Sequence, residues 1–227
     1  LVFNPFLYKK VPVDPATAFA PVSQITESPM VIVVPADSPL RSLPELIARA
    51  KQKSGGLAYG SAGNGSSMHL AGATLQMRTG APLVHVPYKG SGPAITDLLG
   101  GQLDFMPDSR STTKPFIASG KLRALAVTGE RRVADLPDVP TVAEAGVPGF
   151  KVTTWLGIVA PAGTPEPVIA RLYDAFREAL EVPAVKARFD ELGTSTLGST
   201  PQAFAKSLEQ ERIEARELVR QTGMSIQ

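Results

Sequence analysis

Apolar runs alternate with helically spaced apolar positions along almost the whole chain, a pattern that predicts an α/β architecture. Met30-Val-Ile-Val-Val34 is an unbroken apolar run, as expected for a strand covered on both faces. Ser42-Leu-Pro-Glu45 reads as a capping box with proline in the first turn. The helix it opens carries Leu43, Leu46, Ile47 and Ala50 on one face and stops near Ser54-Gly55. Strands are predicted at Leu57–Tyr59, Leu83–Val86, Gln102–Met106, Leu122–Thr128 and Trp155–Ala160. Helices follow the first two of these, running through Met77 and from Pro93 through Leu99. Short helices are predicted from Pro115 to Ser119 and after the capping pattern Thr141-Val-Ala-Glu144. Beyond residue 160 the pattern turns helical. Thr164-Pro165 opens a helix with Ile169, Leu172, Tyr173, Phe176 and Leu180 on one face. Pro183 opens a second, ended by Gly193, and Thr200-Pro201 a third, ended by Gly223.

This order suggests a central α/β unit over residues 35–152, flanked by residues 1–34 and 153–227, which belong together as one discontinuous lobe. A domain inserted in another through two strands is the layout of a hinge-closing binding protein. The chain opens on Leu1-Val-Phe-Asn-Pro with no initiator Met and reads as entered in mid-domain. The expectation is that the N-terminal part of the first lobe is missing and that no signal peptide is present in this chain.

The most informative local feature is Gly60-Ser-Ala-Gly-Asn-Gly-Ser-Ser-Met-His69, a small-residue turn between a strand and a helix. A helix start carries free N–H groups and a partial positive charge, so glycines and serines there form an anion cradle. Pro87-Tyr-Lys-Gly-Ser-Gly92 repeats the design after the next strand. Two such loops on neighbouring strands would aim their amides into one crevice. Ser61, Asn64, Ser66 and Ser67 offer hydroxyl or amide groups to an anion, and Gly63 and Gly65 allow close backbone approach. In the second loop Tyr88 and Lys89 project, while Ser91 adds a donor. Asp108 follows the strand predicted at 102–106 and is a candidate for ligand contact. Arg110 could pair with a ligand carboxylate, with Asp108 or with solvent. Asp97 and Asp104 read as solvated or capping groups.

Composition removes several other chemistries. The 227 residues are 43% hydrophobic and 19% charged, typical of a folded globular chain. A net charge of +2, with no basic run, argues against nucleic acid. There is no cysteine, hence neither disulfide nor thiolate metal site. The two histidines, His69 and His85, lack metal-ligand spacing and read as packed structural residues, so no metal and no cofactor are expected. No run reaches the ~18 apolar residues of a membrane span, and no direct membrane insertion is expected. Gly60 to Ser67 spells G-x-x-x-x-G-S-S, a P-loop without its lysine, and the serine-hydrolase elbow G-x-S-x-G is absent. No catalytic pair is evident. An α/β enzyme using the loop as an oxyanion or phosphate site, with His69 as base, is the alternative these residues leave open.

Several blocks stand in an order that resembles one family. They are Tyr59-Gly-Ser-Ala-Gly-Asn-Gly-Ser-Ser-Met-His-Leu70, His85-Val-Pro-Tyr-Lys-Gly90, Asp97-Leu-Leu-Gly-Gly-Gln-Leu-Asp104, Gly120-Lys-Leu-Arg-Ala-Leu-Ala-Val127, Leu136-Pro-Asp-Val-Pro-Thr-Val-Ala-Glu-Ala-Gly146 and Ala160-Pro-Ala-Gly-Thr-Pro165. The chain resembles the periplasmic substrate-binding proteins of tripartite tricarboxylate transporters, the Bug-type solute receptors, over essentially its whole length. The resemblance implies a type II periplasmic-binding-protein fold, with two lobes joined by crossover strands. It also implies a non-enzymatic receptor in the periplasm that binds a small organic carboxylate, such as a di- or tricarboxylate, and delivers it to membrane permease subunits. Carried onto this sequence, the ligand loops are Ser61 to Ser67 and Tyr88 to Ser91. Where the family commonly has an Asp-Asn pair, this chain reads Pro107-Asp108-Ser109-Arg110. A receptor presenting ligand to a signalling partner would share all these features.

Overall fold

The computed structural model describes residues 2–8 and 11–222. In chain order the elements are α1 (Asn4–Leu7), α2 (Pro15–Ala18), β1 (Phe19–Pro35), α3 (Leu43–Gln52), β2 (Leu57–Ser61), α4 (Ser67–Thr79), β3 (Leu83–Pro87), α5 (Ser91–Leu99), β4 (Met106–Ser109), α6 (Arg110–Ala118), β5 (Leu122–Val127), β6 (Thr153–Pro161), α7 (Glu166–Glu181), α8 (Pro183–Glu191), β7 (Ser195–Thr196) and α9 (Pro201–Thr222). The chain divides into two compact units, residues 1–28 with 155–227 and residues 29–154.

In the unit 29–154, the apolar end of β1 runs antiparallel to β4 on one side and to β5 on the other. β2 and β3 pair in parallel, and a parallel bridge between Tyr59 and Phe105 joins β2 to the start of β4. Alternate residues of β1 serve opposite faces. Ile32 and Val34 pack with Leu43 and Leu46 of α3, Leu75 of α4 and Phe150. Val31 and Val33 pack with Ala94, Ile95 and Leu98 of α5 and with Met106. The continuous apolar run is therefore buried on both faces, as its composition predicts, although its neighbours run antiparallel to it. α4 lies against β2, β3 and β4, and it is buried almost all round its first two turns.

Several boundaries differ from the sequence expectation. The Ser42 box forms, with Ser42 Oγ accepting from Glu45 N–H at 3.4 Å, but Glu45 Oε2 reaches back to Arg41 N–H at 2.7 Å. The strand expected at 102–106 begins only at Met106 and runs to Ser109, so Asp108 sits inside a strand and not beyond its end. The physical reason is that Asp104 N–H and Phe105 N–H both turn to Ala58 O, holding 102–105 as a connection. The short helix expected from Pro115 starts at Arg110, because Ser109 Oγ caps it by accepting from Thr112 N–H at 3.3 Å. Thr141 and Glu144 do form a reciprocal box, at 2.8 and 3.0 Å, yet only a turn follows. Val147 N–H bonds Val142 O and closes the segment before a helix can extend.

In the other unit, Asp14 Oδ1 caps α2 at 3.0 Å, and β7 pairs with β1 at Thr26 and Glu27. Neither α1, α2 nor β7 was predicted from the pattern. α7, α8 and α9 follow the predicted starts, and the expected stop of α9 at Gly223 lies outside the described residues. Trp155 stacks edge-on with Phe204 of α9 at 5.4 Å, and its indole N–H donates to Glu211 Oε1 at 2.8 Å. Among the described residues, no helix is long and apolar enough to cross a membrane, and no group of three or more metal-ligating side chains occurs.

Candidate functional site

Because β2, β3 and β4 run parallel, their C-terminal ends lie on one edge of the sheet. Each end feeds a helix there: Ser61 leads to α4, Pro87 to α5 and Ser109 to α6. Three helix N-termini thus gather at one edge, the arrangement in which open α/β sheets bind anions. The sequence identified the first two loops, and the third became visible only once β4 and α6 were placed.

The loops are tied to one another. Tyr88 N–H donates to Ser61 O at 3.1 Å. Gly63 has a φ of +119°, which favours glycine, and a Cβ there would lie a tight 3.2 Å from Tyr88 O. Ser91 Oγ donates to Asp108 Oδ2, and Ser109 N–H donates to Asp108 Oδ1 at 2.6 Å. Asp108 is buried, and that burial raises its pKa against the lowering effect of both hydrogen bonds. It therefore bridges the second and third loops from inside the unit.

Within the first loop the polar groups divide into two sets. Ser61 is fully buried. Its Oγ accepts from Gly63 N–H at 3.0 Å and lies 2.6 Å from His85 Nε2. Ser66 Oγ donates to Gly63 O at 2.7 Å and caps α4 by accepting from His69 N–H at 3.3 Å. Gly65 N–H donates to His69 Nδ1 at 3.1 Å. Asn64 is exposed and Ser67 half-buried on the outer side of the same turn. In the second loop Tyr88 turns back to α5, its hydroxyl donating to Asp97 Oδ2 at 2.7 Å, whereas Lys89 is exposed. Helix α5 has Gly90 at its N-cap, which offers no side chain to cap it. Arg110 Nη1 pairs with Asp135 Oδ1 at 2.5 Å, a partner its sequence position did not suggest.

The two histidines, sixteen positions apart, were read separately as packed residues, and the structure brings them together. Their rings stack with centroids 3.8 Å apart and planes 6° from parallel. Tyr59 lies 5.2 Å from the His85 ring and 5.5 Å from Phe105, and its hydroxyl donates to His69 O at 3.2 Å. Burial lowers the pKa of His69. For His85, burial and the neighbouring His69 push it down to about 4, so both rings are neutral at pH 7. The pairing register places His85 beside Tyr59, which is the signal that would have revealed the stack. Register is not legible from one strand alone.

Asp104 sits at the opposite edge of the sheet, where it pairs with Lys53 at 2.9 Å and accepts from Ala58 N–H at 2.7 Å beside a hollow of about 340 Å³. It is a structural anchor, remote from the three loops.

The family model for tripartite tricarboxylate transporter family receptors, TctC, matches residues 1–224. Among similar proteins, the UPF0065 protein in the tcbD-tcbE intergenic region of Pseudomonas sp. (strain P51) is 41% identical over 96% of this chain. BugT of Bordetella pertussis is 36% identical over 97%. The chain spans 66% and 68% of those relatives' own lengths, and 64% of a further relative in Agrobacterium vitis. Among solved structures, Rpa4515 of R. palustris with adipate is 32% identical, with a TM-score of 0.87 over 99% of this chain and 75% of that one. MatC of Rhodopseudomonas palustris with bound malate is also 32% identical, with a TM-score of 0.82 over 95% and 74%. The three helix starts on one sheet edge, the blocks of sequence that build them and these matches lead to one statement: the chain belongs to the tripartite tricarboxylate transporter family of receptors.

Proposed function

We propose that this protein is an extracytoplasmic solute receptor that holds a small organic carboxylate at the three-loop edge of the unit 29–154 and delivers it to the permease subunits of a tripartite tricarboxylate transporter. The observation that carries the reading is the gathering of the α4, α5 and α6 N-termini at the ends of three parallel strands, with glycine where the backbone must come close. A carboxylate there replaces water around partial positive charges that are already oriented, so little reorganisation is needed on binding. Relatives described with adipate and with malate support a dicarboxylate as the class.

The residues divide by role. Asn64, Ser67 and Lys89 face the ligand, while the amides of Gly63, Gly65 and Ser66 are engaged within the loop by Ser61 Oγ, His69 Nδ1 and Gly63 O. Exposed Lys89 contributes about 1 kcal/mol or less. Ser61, Ser66, Tyr88, Ser91 and Asp108 hold the loops in place. The Ser61–His85 contact has the distance of a nucleophile and base, but a fully buried hydroxyl offers no access to a substrate. The geometry therefore favours capture over turnover.

Titration calorimetry with adipate, malate, citrate and inorganic phosphate tests the proposal. Binding of one or more of the acids is expected. Asn64→Ala and Ser67→Ala should each weaken it about three- to tenfold, the loss of one hydrogen bond to a charged group. Binding of phosphate with no response to any acid would overturn the carboxylate assignment.

A further inference from the structure

We infer that His69 is a positioning residue of the carboxylate site: its neutral Nδ1, held in place by the His85 ring, sets the direction of the cradle amides by accepting Gly65 N–H. The inference rests on the receptor reading above for what the cradle holds, but its geometry is independent of it.

A backbone N–H can only donate. The 3.1 Å contact from Gly65 N–H therefore makes Nδ1 of His69 an acceptor, which places the proton of the neutral ring on Nε2. Gly65 stands at a φ of +75°, a region glycine visits about as readily as its mirror image, so a partner for its N–H helps select this conformation. The same histidine anchors the turn at two further points. Its backbone N–H donates to Ser66 Oγ, and its carbonyl accepts from the Tyr59 hydroxyl. Residue 69 thus ties the loop, the start of α4 and strand β2 into one piece.

His85 supplies the other wall. Its ring lies flat against His69 at 3.8 Å and fixes the plane in which Nδ1 points. Its Nε2 meets Ser61 Oγ at 2.6 Å, and that hydroxyl holds Gly63 N–H at 3.0 Å. The two glycine amides of the cradle are consequently directed inward by two stacked imidazoles. This leaves the outer face of the turn, with Asn64 and Ser67, to the ligand. The other titratable side chains on α4 and on the strands it packs against are Tyr59, Asp108 and Arg78. Tyr59 is kept neutral by burial, and Asp108 is engaged by Ser91 and Ser109.

The test compares two substitutions and one spectrum. In His69→Asn the side-chain oxygen falls where Nδ1 stood and can still accept from Gly65, whereas His69→Leu removes the acceptor. Adipate and malate affinity at pH 7.5 should fall tenfold or more in the Leu variant and stay within about threefold in the Asn variant. Equal losses in both, or none in either, would overturn the inference. Long-range ¹H–¹⁵N correlation spectra of the unsubstituted protein should show His69 as the Nε2–H tautomer, with Nδ1 unprotonated. The opposite tautomer would overturn the inference even if the Leu variant failed to fold. If adipate, malate and citrate all fail to bind the unsubstituted protein, the receptor reading fails, and the tautomer alone then decides the role of His69.

Discussion

Gly72 sits in the middle of α4 against the ring of Tyr59, and the substitution Gly72→Ala probes how tightly the cradle is braced from beneath. A Cβ at this position would lie 2.1, 2.3 and 2.7 Å from Tyr59 Cε2, Cζ and Cδ2. Ordinary carbon contacts are about 3.5–4.0 Å, so the ring would have to retreat by roughly 1.5 Å. It has little room to do so. Tyr59 is 2% exposed, is packed between Phe105 and His85, and donates its hydroxyl to His69 O. Overpacking of this kind costs about 1–3 kcal/mol, and displacing the buried hydroxyl from its acceptor costs about 1–3 kcal/mol more. Alanine's advantage over glycine inside a helix returns about 1 kcal/mol. The net expectation is a destabilisation of about 1–5 kcal/mol, centred on about 3 kcal/mol, measured by urea denaturation followed by circular dichroism. In a Tyr59→Leu background the clash disappears, so Gly72→Ala should there be neutral or stabilising. An equal cost in both backgrounds, or no cost with Tyr59 present, would refute the claim that the ring is immobile.

Two further predictions concern charge. His85 is held at a pKa of about 4, below the ordinary value of 6.5, so the unfolded chain binds the additional proton between those pH values. Its contribution to stability is complete above pH 6.5 and is lost as pH falls towards 4. The unscreened limit is about 3 kcal/mol, and solvent screening at this half-buried ring brings the expectation to about 1–2 kcal/mol. Asp108, whose pKa is raised, works in the opposite direction, so the quantity to measure is the difference between the unsubstituted protein and His85→Gln in urea titrations from pH 7.5 to 4.5. Parallel curves would contradict the assignment. Separately, Arg123 donates from Nη1 to Ser38 O and Leu40 O, each at 3.1 Å, and from Nη2 to Ala36 O, stapling the loop between β1 and α3. Arg123→Met should cost about 2 kcal/mol and speed proteolysis within residues 36–41, and an unchanged cleavage rate would show the staple to be unimportant.

Local information determined most of the elements. The apolar run 30–34, the capped start of α3, the proline-marked starts of α7, α8 and α9, and the small-residue turn before α4 each depend on neighbours within a few positions. Those physics are written in the sequence itself: periodicity, capping side chains, and the fixed φ of proline. The resemblance carried by blocks spread through the chain likewise points to the family.

What only the tertiary structure decided depends on partners far apart in the chain. The capping pattern at Thr141 and Glu144 is complete, yet Val147 bonds Val142 and the helix does not extend. The start of β4 shifted because Ala58, on another strand, takes the amides of Asp104 and Phe105. Arg110 pairs with Asp135, a residue 25 positions away. His69 and His85 each look unremarkable alone, and only the parallel register of β2 and β3, with α4 laid across them, stacks the rings behind the cradle. The small-residue turns at the starts of α4 and α5 were therefore legible from residue type. The hydrogen-bond partners of their polar groups were not, because those partners are assigned by packing, which no single segment encodes.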